Sequence, residues 1–129
     1  MILDTSALIA MLWGEPEAAA LEAAVSASQS LLISAPTLLE AATVAEGRIG
    51  REMGNRLDDL LARIGVEIVP FTAEHAALAR EGWRRYGKGR HPAGLNFGDC
   101  FAYALAKSRN EPLLFKGDHF AQTDVKAAI

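Results

Sequence analysis

Leu31-Leu32-Ile33-Ser34-Ala35-Pro36-Thr37-Leu38-Leu39-Glu40 is the stretch on which the fold turns. It opens with a nearly continuous apolar run of strand length, the pattern of a strand buried on both faces rather than one. Pro36 then stands where a first helical turn tolerates proline, so the strand runs on into a helix that carries Glu40 in its first turns. Similar short apolar runs occupy residues 2–4, 66–69 and 113–115, and a shorter fifth follows Asp124. Helical patterns separate them. Met53, Leu57, Leu60, Leu61 and Ile64 form one stripe that ends at Gly65, and His75, Leu78, Ala79, Gly82, Trp83 and Tyr86 form a second. A helix from Phe97 places Phe101, Ala104, Leu105 and Ser108 on one face, and the Ala-rich residues 17–27 predict another. Strands alternating with longer helices define βαβ units. The expected fold is a three-layer α/β/α sandwich around a central parallel sheet of four to five strands.

The chain has 129 residues, half of them hydrophobic and 5 of them proline, which suits one compact domain over residues 1–129 and leaves no room for two. A net charge of −3 excludes a polycation that coats nucleic acid unaided, so any such binding is local or assisted by metal. A single cysteine, Cys100, makes no internal disulfide. With no basic leader and no apolar run of bilayer length, the expectation is a soluble cytoplasmic protein with no membrane partner. The Ala-rich 17–27 helix and the 51–64 helix are expected to leave apolar patches exposed for partners.

Three acids stand alone in apolar surroundings. Asp4 is the only charge in residues 1–14, Glu40 in residues 31–45 and Asp99 in residues 95–106. A buried carboxylate costs several kcal/mol unless a proton, a partner charge or a metal compensates, and no lysine or arginine falls within these windows. Asp4 ends the first strand, Glu40 follows the second, and Asp118 follows the 113–115 strand, which puts them at the carboxyl edge of a parallel sheet, where ligands bind. Asp99 near a helix start points to the same edge, and Asp124 is a fifth candidate. Hard oxygen ligands without a Cys or His cluster select Mg²⁺ or Mn²⁺. Each acid also has an ordinary reading. Asp4 can cap the helix that begins at Thr5, Glu40 can close a capping box with Thr37, Asp99 can do so with Asn96, and Asp118 can be a turn residue after Gly117. Convergence of four such acids on one edge favours the metal reading.

Arg80, Arg84, Arg85, Lys88, Arg90 and His91 make the densest basic stretch, read either as a strip that grips RNA phosphates or as a solvated helix face with its loop, residues 87–94. Two divalent ions in the acidic cluster would reverse the sign of the net charge and remove its repulsion of RNA. Cys100 reads as a small buried hydrophobe and His75 as a structural histidine. No dinucleotide-binding, P-loop or serine-hydrolase signature occurs.

Four blocks carry a family resemblance: Met1-Ile2-Leu3-Asp4-Thr5-Ser6-Ala7-Leu8; Glu40 after Pro36; Gly94-Leu95-Asn96-Phe97-Gly98-Asp99-Cys100; and Leu114-Phe115-Lys116-Gly117-Asp118-His119-Phe120 with Thr123-Asp124. In this order and spacing they resemble the PIN-domain ribonucleases, and among them the VapC-type toxins of toxin–antitoxin pairs. The resemblance implies a metal-dependent endoribonuclease with Mg²⁺ or Mn²⁺, a homodimer, and a cognate antitoxin that blocks the site. It implies Asp4, Glu40 and Asp99 as the acidic core, completed by Asp118 and Asp124, with the Thr5 or Ser6 hydroxyl beside Asp4. One departure stands out: many similar proteins carry an acid where this chain has His119, so Asp118 or Asp124 must supply the fourth ligand. Two rival readings are a HAD-like phosphohydrolase, disfavoured because Ser6 stands where its second aspartate belongs, and a non-catalytic RNA- or protein-binding module on the same fold.

Overall fold

A computed structural model describes residues 1–129. Four parallel strands, β1 (Ile2–Leu3), β2 (Leu32–Ser34), β3 (Glu67–Val69) and β4 (Leu113–Leu114), form one sheet in the order β3-β2-β1-β4. Ile2 pairs with both Leu32 and Leu113, so β1 is central. The chain winds outward from β1 through β2 to β3, then crosses back to place β4 on the other side of β1. The reversal of strand order therefore falls at β1 and β4, where Asp4 and the segment after Leu114 emerge. The stretch after Asp124 adds a parallel bridge between Leu113 and Ala127 rather than a full strand.

Alternation along these short strands builds the three layers. Ile2, Leu32 and Leu113 face α5 (Ala73–Tyr86) and α6 (Phe97–Arg109), in one core with Tyr103 and Leu105. Leu3, Ile33 and Leu114 face the opposite layer of α1 (Thr5–Trp13), α2 (Ala18–Ala27), α3 (Ala35–Ile49) and α4 (Arg51–Ile64), in a second core with Leu8, Leu21 and Leu57. The expected sandwich is the observed one. The apolar faces expected on α2 and α4 are not exposed: Leu21, Val25, Leu57, Leu60 and Leu61 are buried in that second core. The exposed large apolar residues lie elsewhere and include Leu39, Trp83 and Phe97.

The α5–α6 contact depends on a missing side chain. A Cβ on Gly82 would fall within 2.5–3.1 Å of the Tyr103 ring, itself buried. Gly82→Ala is therefore expected to destabilise the fold by about 1–3 kcal/mol despite alanine's better helix propensity, because the overpacked ring has no space to retreat. Urea unfolding of the variant beside the wild type measures this directly. His75 at the start of α5 is buried and closes a capping box with Thr72, its Nδ1 accepting the Thr72 amide, which is the structural role expected of it.

Candidate functional site

The acids at the strand-order reversal line one cavity of about 330 Å³, together with Asn96, Lys116 and His119. Asp4 leaves β1 and immediately caps α1. Its Oδ2 accepts hydrogen bonds from the Ser6 amide at 3.0 Å and the Ser6 hydroxyl at 2.6 Å. Ser6 Oγ in turn accepts the Lys116 amide at 2.9 Å, which ties the cap to the end of β4. The other oxygen, Asp4 Oδ1, is buried and has no partner. Burial raises the Asp4 carboxyl; the Ser6 hydrogen bonds oppose this, and the negative charges of Asp99 and Glu40 reinforce it, leaving a value of about 6. The ordinary and the functional readings thus coexist: one oxygen caps a helix and the other is left over.

Glu40 does not close a capping box with Thr37, whose hydroxyl is buried without a partner. Its Oε1 instead accepts the Thr5 hydroxyl at 2.5 Å, across from α1. Gly98 makes room for it, since a Cβ there would overlap the Glu40 carboxylate. Asp99 closes the expected box with Asn96: the Asp99 amide donates to Asn96 Oδ1 at 2.9 Å and Asp99 Oδ2 accepts the Asn96 amide at 3.0 Å. His119 Nδ1 lies 2.9 Å from the same Oδ2. Asp118 is exposed on the cavity's rim.

Asp124 is not brought into the cavity. The 3₁₀ helix Phe120–Gln122 carries the chain away before Asp124 is reached, and its carboxylate is engaged by Lys107 at 2.9 Å, Tyr103 at 2.9 Å and Arg85 at 3.2 Å. Burial pushes this carboxyl upward, but the Lys107 and Tyr103 hydrogen bonds outweigh it and hold it below the usual range. Asp124 fastens the C-terminal segment to the α5–α6 layer.

The basic stretch is likewise outside the cavity. Arg85 serves Asp124, Arg90 lies over the Trp83 ring at 4.0 Å, and His91 Nδ1 accepts the Ala93 amide at 3.0 Å. Arg80 lines an apolar groove between α5 and α6, while Arg84 and Lys88 are exposed. The lysine that does line the cavity is Lys116, whose ammonium pairs with Glu15 and Glu17. The sequence alone assigned Lys116 and Gly98 no role, and marked His119 only as a departure from the family pattern. Their positions beside strand-end or helix-start acids were the available signal. Burial raises the Cys100 thiol to about 11, so it is protonated and inert at neutral pH.

The carboxylates at this edge are hard oxygen donors, the kind that could hold a hard cation. No three of the acids and histidines close around a point tightly enough to enclose an ion alone. That suits a Mg²⁺-like ion, which binds through one or two carboxylates and keeps water and phosphate as its other ligands. The orphaned Asp4 Oδ1, in the same cavity as the Glu40 carboxylate that Gly98 makes room for, fits such an ion.

The model of the PIN domain family matches residues 1–126, and the chain belongs to that family. It is 52% identical over 125 residues to Ribonuclease VapC30 of Mycobacterium tuberculosis, covering 97% of this chain and 95% of that protein. Among solved structures it resembles Mycobacterium tuberculosis VapC20, described as a sarcin-ricin loop cleaving toxin, with a TM-score of 0.76 and 19% identity over 98% of this chain and 97% of that one. A toxin–antitoxin complex from Klebsiella pneumoniae matches with a TM-score of 0.73 at 20% identity, over 99% and 97% of the two chains.

Proposed function

We propose that this chain is a divalent-metal-dependent endoribonuclease, the toxin of a toxin–antitoxin pair, that hydrolyses RNA phosphodiester bonds in the acidic cavity. The observation that carries the reading is Asp4 Oδ1, a carboxylate oxygen buried without a partner in a cavity shared with Glu40 and Asp99. The 52% identity to a protein named a ribonuclease supports the activity, and the likeness to a toxin–antitoxin complex supports a cognate antitoxin. The apolar groove of about 420 Å³ between α5 and α6, beside the exposed Trp83 and Phe97, supports a homodimer built on that face. No helix is long and apolar enough to cross a membrane.

Asp4 and Asp99 would hold Mg²⁺ or Mn²⁺, with Asp118 on the rim as a further ligand. When bound, the ion would activate a water and neutralise charge that develops on the scissile phosphate. The protein's part is positioning. Ser6 and the Lys116 amide fix Asp4, so that Oδ1 is presented without rotation. Thr5 fixes Glu40 through Oε1 and leaves Oε2 to accept the proton of the attacking water. The water oxygen bonds to phosphorus, the bond to the ribose oxygen breaks, and that oxygen takes a proton from solvent. Lys116 lines the same cavity, its ammonium held by Glu15 and Glu17.

The test is incubation of purified, antitoxin-free protein with total RNA in Mg²⁺, Mn²⁺ or EDTA, beside Asp99→Asn, which keeps the length of the capping side chain. Discrete cuts that require metal and disappear in Asp99→Asn are expected. Metal-independent binding without cuts would replace this reading with the binding module, and turnover of small phosphomonoesters alone would replace it with the phosphohydrolase.

A further inference from the structure

We propose that His119 is the positioning residue of Asp99: its Nδ1–H holds Oδ2 so that Oδ1 faces the divalent ion, as Ser6 does for Asp4. The inference rests on the reading that the cavity holds such an ion. Asp99 Oδ2 already accepts the Asn96 amide at 3.0 Å, and a carboxylate offers only acceptors, so the imidazole nitrogen at 2.9 Å is the donor. Two donors on one oxygen stop the carboxylate from turning about its Cβ–Cγ bond. The same arrangement occurs at Asp4, where Oδ2 takes two bonds from Ser6 and Oδ1 is left over.

The ring is itself well placed for this work. Phe120, the next residue, is buried and packs on Phe115 with ring centroids 5.3 Å apart, which anchors the backbone that carries His119. The His119 side chain is 54% exposed while that of Asp99 is 13% exposed, so the carboxylate is the more buried partner of this contact. Partners that orient a metal-binding carboxylate in this way matter nearly as much as the ligand itself.

The experiment is calorimetric titration of Mn²⁺ into the wild type, His119→Ala and His119→Asn, with melting in EDTA to establish that all three are folded. The Asn side-chain amide sits about as far from the backbone as imidazole Nδ1 and can donate the same bond. His119→Ala is expected to bind Mn²⁺ at least ~10-fold more weakly, and His119→Asn to stay within about threefold of wild type. Unchanged binding in His119→Ala, or a His119→Asn no tighter than His119→Ala, overturns the assignment. A wild type that takes up no Mn²⁺ at millimolar concentration overturns the metal-dependent reading as well, a result that cannot be confused with the other two.

Discussion

Asp4→Asn is expected to lower RNA cleavage by about two orders of magnitude or more while making the metal-free protein more stable at pH 7. Asparagine is a good helix cap and accepts the Ser6 hydrogen bonds that Oδ2 now receives. It carries no charge into a fully buried position. The wild-type carboxyl is raised from 3.8 to about 6, chiefly by burial. That shift corresponds to about 3 kcal/mol of folding free energy, at 1.36 kcal/mol for each unit of pKa.

The sign follows from linkage. Below pH 3.8 the carboxyl is protonated in both folded and unfolded chains, and the stability advantage of Asp4→Asn is absent. Between 3.8 and about 6 the folded chain binds the extra proton, so wild-type stability falls as pH rises through this window. Above about 6 the loss is complete. Urea unfolding in EDTA at pH 4 and pH 7.5 should show the gap opening, and Mn²⁺ should narrow it by compensating the charge. A variant that cleaves RNA, or a gap that does not widen with pH, contradicts the account of Asp4 as a destabilised, functional acid.

Gly98→Ala is expected to fold and yet to lose about a hundredfold in kcat, because a small displacement of a reacting group is enough for that. The added methyl would overlap the Glu40 carboxylate, the mobile end of a long side chain. Glu40 can swing aside at little cost, and alanine gains roughly 0.5–1 kcal/mol of helix propensity over glycine. The displaced carboxylate gives up its 2.5 Å bond from Thr5 and its place beside Asp99. Near-wild-type melting with a collapsed kcat and little change in KM is the expected signature. Full activity in Gly98→Ala would show that Glu40 is not needed where it sits.

The lone acids 4, 40 and 99 were legible because a charge among apolar residues is costly to bury; the structure buries Asp4 and Asp99 and leaves Glu40 half-buried. The strands were legible for the same reason: their continuous apolar character requires cover on both faces, and the stripes on α4 and α5 supply helices to provide it. Their order in the sheet was not written in any one segment, yet the alternation of β and α left few topologies to consider. Asp124 was misplaced because its sequence neighbourhood, close behind the Asp118 block, is the same whether the chain stays at the cavity or turns away. Only the 3₁₀ turn at Phe120 and the attraction of Lys107 and Arg85, which are remote in sequence, decide this.

The sequence by itself determined the strand and helix pattern and which acids stand among apolar neighbours, since hydropathy and helical or strand periodicity are local properties; which apolar faces are covered was left to the packing. Tertiary structure alone decided which oxygen of each carboxylate is used. Ser6 and the Lys116 amide, Thr5 facing Glu40, and His119 on Asp99 are joined by hydrogen bonds that span up to 110 positions of chain. A hydrogen bond requires a separation near 3 Å and a defined angle, and spacing along the chain cannot report a distance set by the packing of separate elements.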